Sequence, residues 1–139
     1  HGWLRFAGPG SSHEAIFAAA LTWTLHMIDQ YQPKTVVWES PLSTSFRMGK
    51  TNLATTTLLY GLPAVVGAAA YSRKVYNCRK ADTRDVRLHF IGKNMKRALA
   101  KAATIARCNA RGWNVTDDNE ADALAIWHYV ATIQMRRAA

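Results

Sequence analysis

A chain of 139 residues suits one domain with one core. Its composition, 49% hydrophobic and 19% charged, excludes intrinsic disorder, and no apolar run approaches the roughly 18 residues of a membrane span. Eighteen Lys and Arg against nine Asp and Glu give a net charge of +9, which points to a polyanionic partner, nucleic acid before others.

The first segment, GWLRFAG over residues 2–8, alternates apolar side chains around Arg5 and ends at Gly8-Pro9-Gly10, the pattern of a strand and turn. Ser11 or Ser12 can cap a helix over 13–31, in which Ile16, Ala20, Trp23, Met27 and Tyr31 fall near helical spacing. Pro33 ends it. Thr35 to Trp38 is a short, nearly continuous apolar run, as in a buried and often parallel strand, with Glu39 at its C-terminal end. The stretch LSTSFRMGKTN, 42–52, reads as a basic loop. A helix over 53–70 follows, interrupted or kinked at Gly61-Leu62-Pro63. KVYNC, 74–78, reads as a third strand. Asp82 or Thr83 caps a helix to Phe90, Gly92 breaks it, and basic and final helices span 94–109 and 121–136. Strands alternating with helices predict an α/β sheet with helices on its faces.

Cys78 and Cys108 belong to no metal-ligand spacing and are expected to be reduced thiols of a cytosolic protein. The five histidines have no zinc spacing. Gly49-Lys50-Thr51 matches the end of a P-loop, but Thr44 stands where that motif needs Gly, so no nucleotide cofactor is expected. Trp3, Trp23 and Trp38 are expected in the core, and Trp113 and Trp127 in the core or at a dimer interface.

The strongest local signal is TDDNEADALAIWHYV, 116–130. Asp117, Asp118, Glu120 and Asp122 crowd into six residues of a chain with nine acids. One or two acids suffice to cap a helix, whereas four repel each other. A hard divalent cation, Mg²⁺ or Mn²⁺, accounts for that density. Asp122 shares a helix face with Ile126 and Tyr129, which should pack on the sheet. Glu39 sits where open α/β sheets place functional groups. Acids at a strand end and a helix start, in a basic chain, point to metal-assisted phosphodiester hydrolysis, with two metals about 4 Å apart flanking the phosphate.

These same residues carry a family resemblance. ADALAIW, 121–127, resembles the C-terminal ADALA motif of RuvC-type Holliday junction resolvases. VVWESP, 36–41, resembles their strand ending in a catalytic Glu, and RLHFIGKNMKRALAKAATIARCNARGW, 87–113, is similar to the segment before the motif in phage and prophage members. The resemblance runs the length of the chain in order. It implies an RNase H-like fold, a mixed sheet flanked by helices, in a homodimer that cuts four-way DNA junctions with Mg²⁺ in the cytoplasm of a bacterium or phage-infected host. It maps Glu39 and Asp122 onto two catalytic, metal-binding acids. Where the family has a further ligand this chain has Asn119, so Asp118 or Glu120 is the candidate replacement. Asp118 is favoured because residues four apart share a helix face. The family's first-strand Asp precedes a Gly-Trp or Gly-Tyr pair, and this chain begins at His1-Gly2-Trp3. The single domain over 1–139 is therefore expected to be N-terminally incomplete, with its site lacking one acid.

Lys96, Arg97 and Lys101, with 97 and 101 on one helix face, are expected to hold DNA phosphates. Arg79, Lys80 and Arg84 follow a strand end and can flank the site. Phe46, between basic Arg47 and Lys50 and the strand, can stack on an unpaired base. Apolar residues of the 53–70 helix are the candidate dimer contact. Two other functions remain open: a non-catalytic binder of branched DNA, and cleavage of RNA–DNA hybrids.

Overall fold

The computed structural model of the chain describes residues 4–41 and 52–138, the side chains of 136–138 excepted. Among these residues the elements are α1 (His13–Tyr31), β1 (Val36–Glu39), α2 (Leu53–Ser72), β2 (Cys78–Ala81), α3 (Thr83–Ile91), α4 (Arg97–Ala110) and α5 (Asp118–Ala138).

Local chemistry sets most of these bounds. The Ser12 hydroxyl accepts the Ala15 N–H at 3.3 Å to open α1, and Gln32, at φ 45°, closes it in the left-handed region. Asn52 opens α2 by accepting the Thr55 N–H at 2.8 Å. Asp82 opens α3 through the Arg84 N–H at 2.8 Å, and Gly92 ends it at φ 78°, where a side chain would be strained. Asp117 accepts the N–H groups of Asn119 and Glu120 and so opens α5. One acid of the cluster is thus a cap.

The strands pair as a two-stranded sheet. The Val36 N–H donates to the Asn77 carbonyl and the Ser40 N–H to that of Ala81, so four residues along one strand match four along the other in the same direction. The pairing is parallel, as the apolar run before Glu39 predicts, with α2 in the connection.

The chain divides into two compact units, and the division falls inside both strands. One unit comprises 4–36, 41 and 52–79. There α1 packs on α2, with Ile28, Ala70 and Val75 buried together. The helices approach closely at Gly61, where a Cβ would run into the Phe17 ring. The other unit comprises 37–40 and 80–138. Its α3, α4 and α5 pack mutually around Ala81, Val86, Phe90, Cys108, Val115, Ala121 and Ala125.

The expected RNase H-like mixed sheet is overturned: the described residues are mostly helical, with a sheet of two four-residue strands. Two of the three strand readings fail in different ways. Over 4–8 the chain has no strand; Leu4 is exposed and Phe6 instead meets Trp23 edge to face at 5.7 Å, so the alternation serves packing on α1 rather than a ladder. The third strand lies at 78–81 rather than 74–78, because the N–H groups of Lys74 and Val75 finish the last turn of α2 on the carbonyls of Tyr71 and Ala70. Pro63 sits inside α2, which runs unbroken past it despite the lost N–H. Trp23 is 40% exposed rather than core.

Candidate acidic cleft

Within the unit of 37–40 and 80–138, β1 delivers Glu39 and α5 delivers Asp122 to one cleft. Thr83, Arg87 and Thr104 are its other polar lining residues, and Val86, Phe90, Ala125 and Ile126 its apolar ones. Two acids 83 positions apart in sequence, each singled out by its place on an element, therefore share one small site.

Glu39 stands at the exposed end of β1, and its carboxylate accepts the Thr83 hydroxyl proton at 2.5 Å. This is possible because Asp82 takes the capping role and leaves Thr83 free to turn toward the strand. Arg87 lies one helical turn beyond Thr83, on the same face of α3. Its Nε is buried with no hydrogen-bond partner among the described residues. Leaving a buried donor without an acceptor costs free energy, and the positive charge of Arg87 bears on Asp122.

Asp122 is half-buried. Burial pushes its carboxyl above the ordinary range, and the negative charge of Glu39 pushes it further; Arg87, Lys101 and Arg97 pull the other way without prevailing. The position of α5 that brings Asp122 here is fixed by a clasp. Asn109 on α4 donates its amide to the Val115 carbonyl at 3.0 Å and accepts the Val115 N–H at 2.6 Å, holding the connection to α5. Thr104 is buried and spends its hydroxyl proton on the Ala100 carbonyl at 2.8 Å.

The other expected site residues distribute around this cleft. Asp118 is ion-paired to Lys101 and does not line it. Glu120, two residues before Asp122, lies about 200° away around α5. Arg97 and Lys101 reach Asp122 electrostatically, so this face of α4 serves the cleft. Lys96, exposed, precedes α4, which has no side-chain cap and no acid in its first turn. Arg84 is exposed in the first turn of α3, and Lys80 is exposed on β2. Arg79 belongs to the other unit and bonds Asn77 at 2.9 Å. Phe46, Arg47 and Lys50 lie outside the described residues. Thr83 and Arg87 are the polar cleft residues the sequence reading passed over as site candidates; their four-residue spacing soon after a strand end was the available signal.

A divalent cation fits the donor set in part. Glu39 and Asp122 form a pair whose mutual repulsion a cation would relieve. Mg²⁺ commonly uses one or two carboxylates and takes its remaining ligands from water and phosphate. No group of three His, Cys, Asp or Glu side chains able to hold a metal occurs among the described residues. Cys78 and Cys108 are free thiols, and burial first, then Asp122, pushes that of Cys108 up, so it is no thiolate.

No protein-family model matches the chain, and no curated protein matches it in sequence.

Proposed function

We propose that this chain is a metal-dependent endonuclease that hydrolyses phosphodiesters in branched DNA, four-way junctions in particular. The observation that carries the reading is the meeting of Glu39, Asp122 and Arg87 in one cleft of a chain with net charge +9. The resemblance to RuvC-type resolvases adds the substrate class. The reading rests on side chains, not on sheet architecture.

Mg²⁺ or Mn²⁺ bound by Glu39 and Asp122 would supply charge neutralisation at the phosphate and a more acidic water. The rest is the work of the chain. Thr83 orients Glu39 through its hydroxyl. Arg87 offers its unpaired Nε–H to a phosphate oxygen, a charge-assisted bond. Arg97 and Lys101 offset the repulsion between a polyanion and two carboxylates. Lys96, Lys80 and Arg84 extend the positive surface along which the backbone would lie.

A homodimer is part of the proposal, because two sites match the two-fold symmetry of a junction. Its contact would be α2, which carries no charged residue and leaves Leu53, Tyr60 and Tyr71 exposed. Contrary to the expectation that no apolar run approaches a membrane span, the same helix is long and apolar enough to cross one, with mean hydropathy 1.5 and 11% of that window buried. Self-association along an uncharged strip costs a highly basic chain little electrostatic repulsion, which favours the dimer.

A labelled four-way junction and a matched duplex, incubated with Mg²⁺, Mn²⁺ or EDTA, test the reading. The chain is assayed as given and within the full reading frame that encodes it. Paired nicks in the junction that need metal, reduced by about 100-fold or more in Glu39→Gln and Asp122→Asn, are expected. Nicking unchanged in both variants would sink the assignment. One observation favours a second reading, a non-catalytic junction binder: Asp118 is engaged by Lys101, which leaves two acids in the cleft. Tight junction binding in EDTA with no nicks under any condition would establish that binder instead.

A further inference from the structure

Trp127 lies on α5 about 140° around the helix from Asp122, away from the cleft. It is 57% exposed. Core packing accounts for its neighbours but not for Trp127 itself. Phe90 is buried, and Trp113 packs against the core and stacks on Phe90 with rings 14° apart and centroids at 6.0 Å. Trp127 meets Trp113 edge to face at 6.0 Å, which supports one edge of its indole and leaves more than half of the residue to solvent. The open face is available to a second ring.

The surroundings are cationic. The Arg111 guanidinium carbon sits 5.6 Å from the ring centres of both Phe90 and Trp113. Arg107 and Arg111 are exposed, and both act on His128, which lies against His89 with ring nitrogens 3.1 Å apart. An exposed aromatic ring whose neighbour Trp113 carries an arginine matches a flat base on a phosphate backbone. It matches an apolar protein partner less well, since Arg111 lies next to the Trp113 ring that Trp127 meets. Paired bases are already stacked in a duplex, so the occupant must be unpaired.

We propose that Trp127, backed by Trp113 with Arg111 over the Trp113 ring, is a second nucleic-acid contact that stacks an unpaired base of single-stranded DNA. The proposal rests on the reading that the chain binds DNA, but not on cleavage. At a junction the contact would capture a base opened near the branch; on a flap it would hold the free strand.

The test uses the whole chain in EDTA, with a labelled oligothymidylate of about 15 nucleotides, and an abasic strand of equal length as the control. Anisotropy and tryptophan quenching report binding. Trp127→Ala should weaken oligothymidylate binding by about 5- to 100-fold, the loss of one stacked base. Trp127→Phe should retain most of it. The abasic strand should bind wild type and Trp127→Ala alike, since it offers phosphates without a base. Circular dichroism and the melting temperature confirm that the variants fold. Equal binding of oligothymidylate by wild type and Trp127→Ala would overturn the stacking contact, as would an equal loss on the abasic strand. A change in sedimentation mass with no change in DNA affinity would overturn it too, and identify the face as a contact between copies. Binding of neither strand by wild type would sink the DNA reading itself. Loss of nicking in Glu39→Gln with the Trp127 effect intact would separate the two sites.

Discussion

Two aspartates show how differently the two units use charge. In the α1–α2 unit, Asp29 receives both the Nε and the Nη2 of Arg73, at 2.7 and 3.0 Å. That hydrogen-bonded pair holds the Asp29 carboxyl below its ordinary value. In the other unit, Asp122 is half-buried beside a second carboxylate and is held above its ordinary value by burial and by Glu39. One acid joins two helices. The other is a charge that burial and a like-charged neighbour disfavour. On the proposed reading, that second unit carries the chemistry.

The sharpest way to break the comparison is to damage each unit's packing. Phe90→Ala removes a ring that is 3% exposed, at the centre of the α3–α4–α5 core. It should cost about 3–5 kcal/mol and collapse both the cleft and the Trp113 stack, read by chemical denaturation and by loss of near-ultraviolet dichroism. Leu53→Ala, at an 83% exposed site at the start of α2, should change monomer stability by no more than about 0.5 kcal/mol. If α2 is the dimer contact, Leu53→Ala should instead show in the sedimentation mass. Gly61→Ala falls between them. Alanine gains up to about 1 kcal/mol of helix propensity, but its methyl meets the Phe17 ring, and overpacking typically costs about 1–3 kcal/mol. A net loss of stability is expected, and a net gain would mean that α1 and α2 adjust freely.

The sequence made the two acids legible because each stands at an element boundary. Glu39 ends the apolar run Val36–Trp38, and Asp122 follows a cap signal by one turn. The α1 helix was legible to the residue, since Ser12 and Pro33 bracket it. What failed depended on partners far along the chain. The alternation over 4–8 is genuine, yet an extended segment becomes a strand only if another chain segment satisfies its N–H and C=O groups. Asp118 does share the expected face with Asp122, but Lys101 on α4 reaches it first, which spacing within α5 cannot reveal. The Asn109 clasp on Val115 is equally silent in sequence, because asparagine near a helix end ordinarily reads as a simple stop.

Metal sharpens the comparison next. Mg²⁺ should raise the melting temperature of wild type, as any ligand of the native state does, and Asp122→Asn should lose that response. Asp29→Asn should keep it. In EDTA at neutral pH, Asp122→Asn should melt above wild type, because it removes a charge that burial disfavours. That gain should shrink as pH falls. Asp122 has a folded pKa above its unfolded one, so its favourable contribution is complete below the unfolded value and is lost as pH rises through the folded one.

The smallest effect has the opposite sign and closes the contrast. Asp29 and Arg73 are both largely exposed, so solvent and salt screen their pair. Asp29→Asn should lower the melting temperature slightly at neutral pH and low salt, with less effect as salt is added. Because the folded pKa of Asp29 is depressed, its contribution is present above the unfolded value and fades as pH falls through the folded one. Acidification should therefore bring both variants toward wild type from opposite sides: Asp122→Asn from above, Asp29→Asn from below. Convergence from the same side would mean that the two carboxylates are doing the same job. The assignment of structure to one unit and chemistry to the other would then fail at its root.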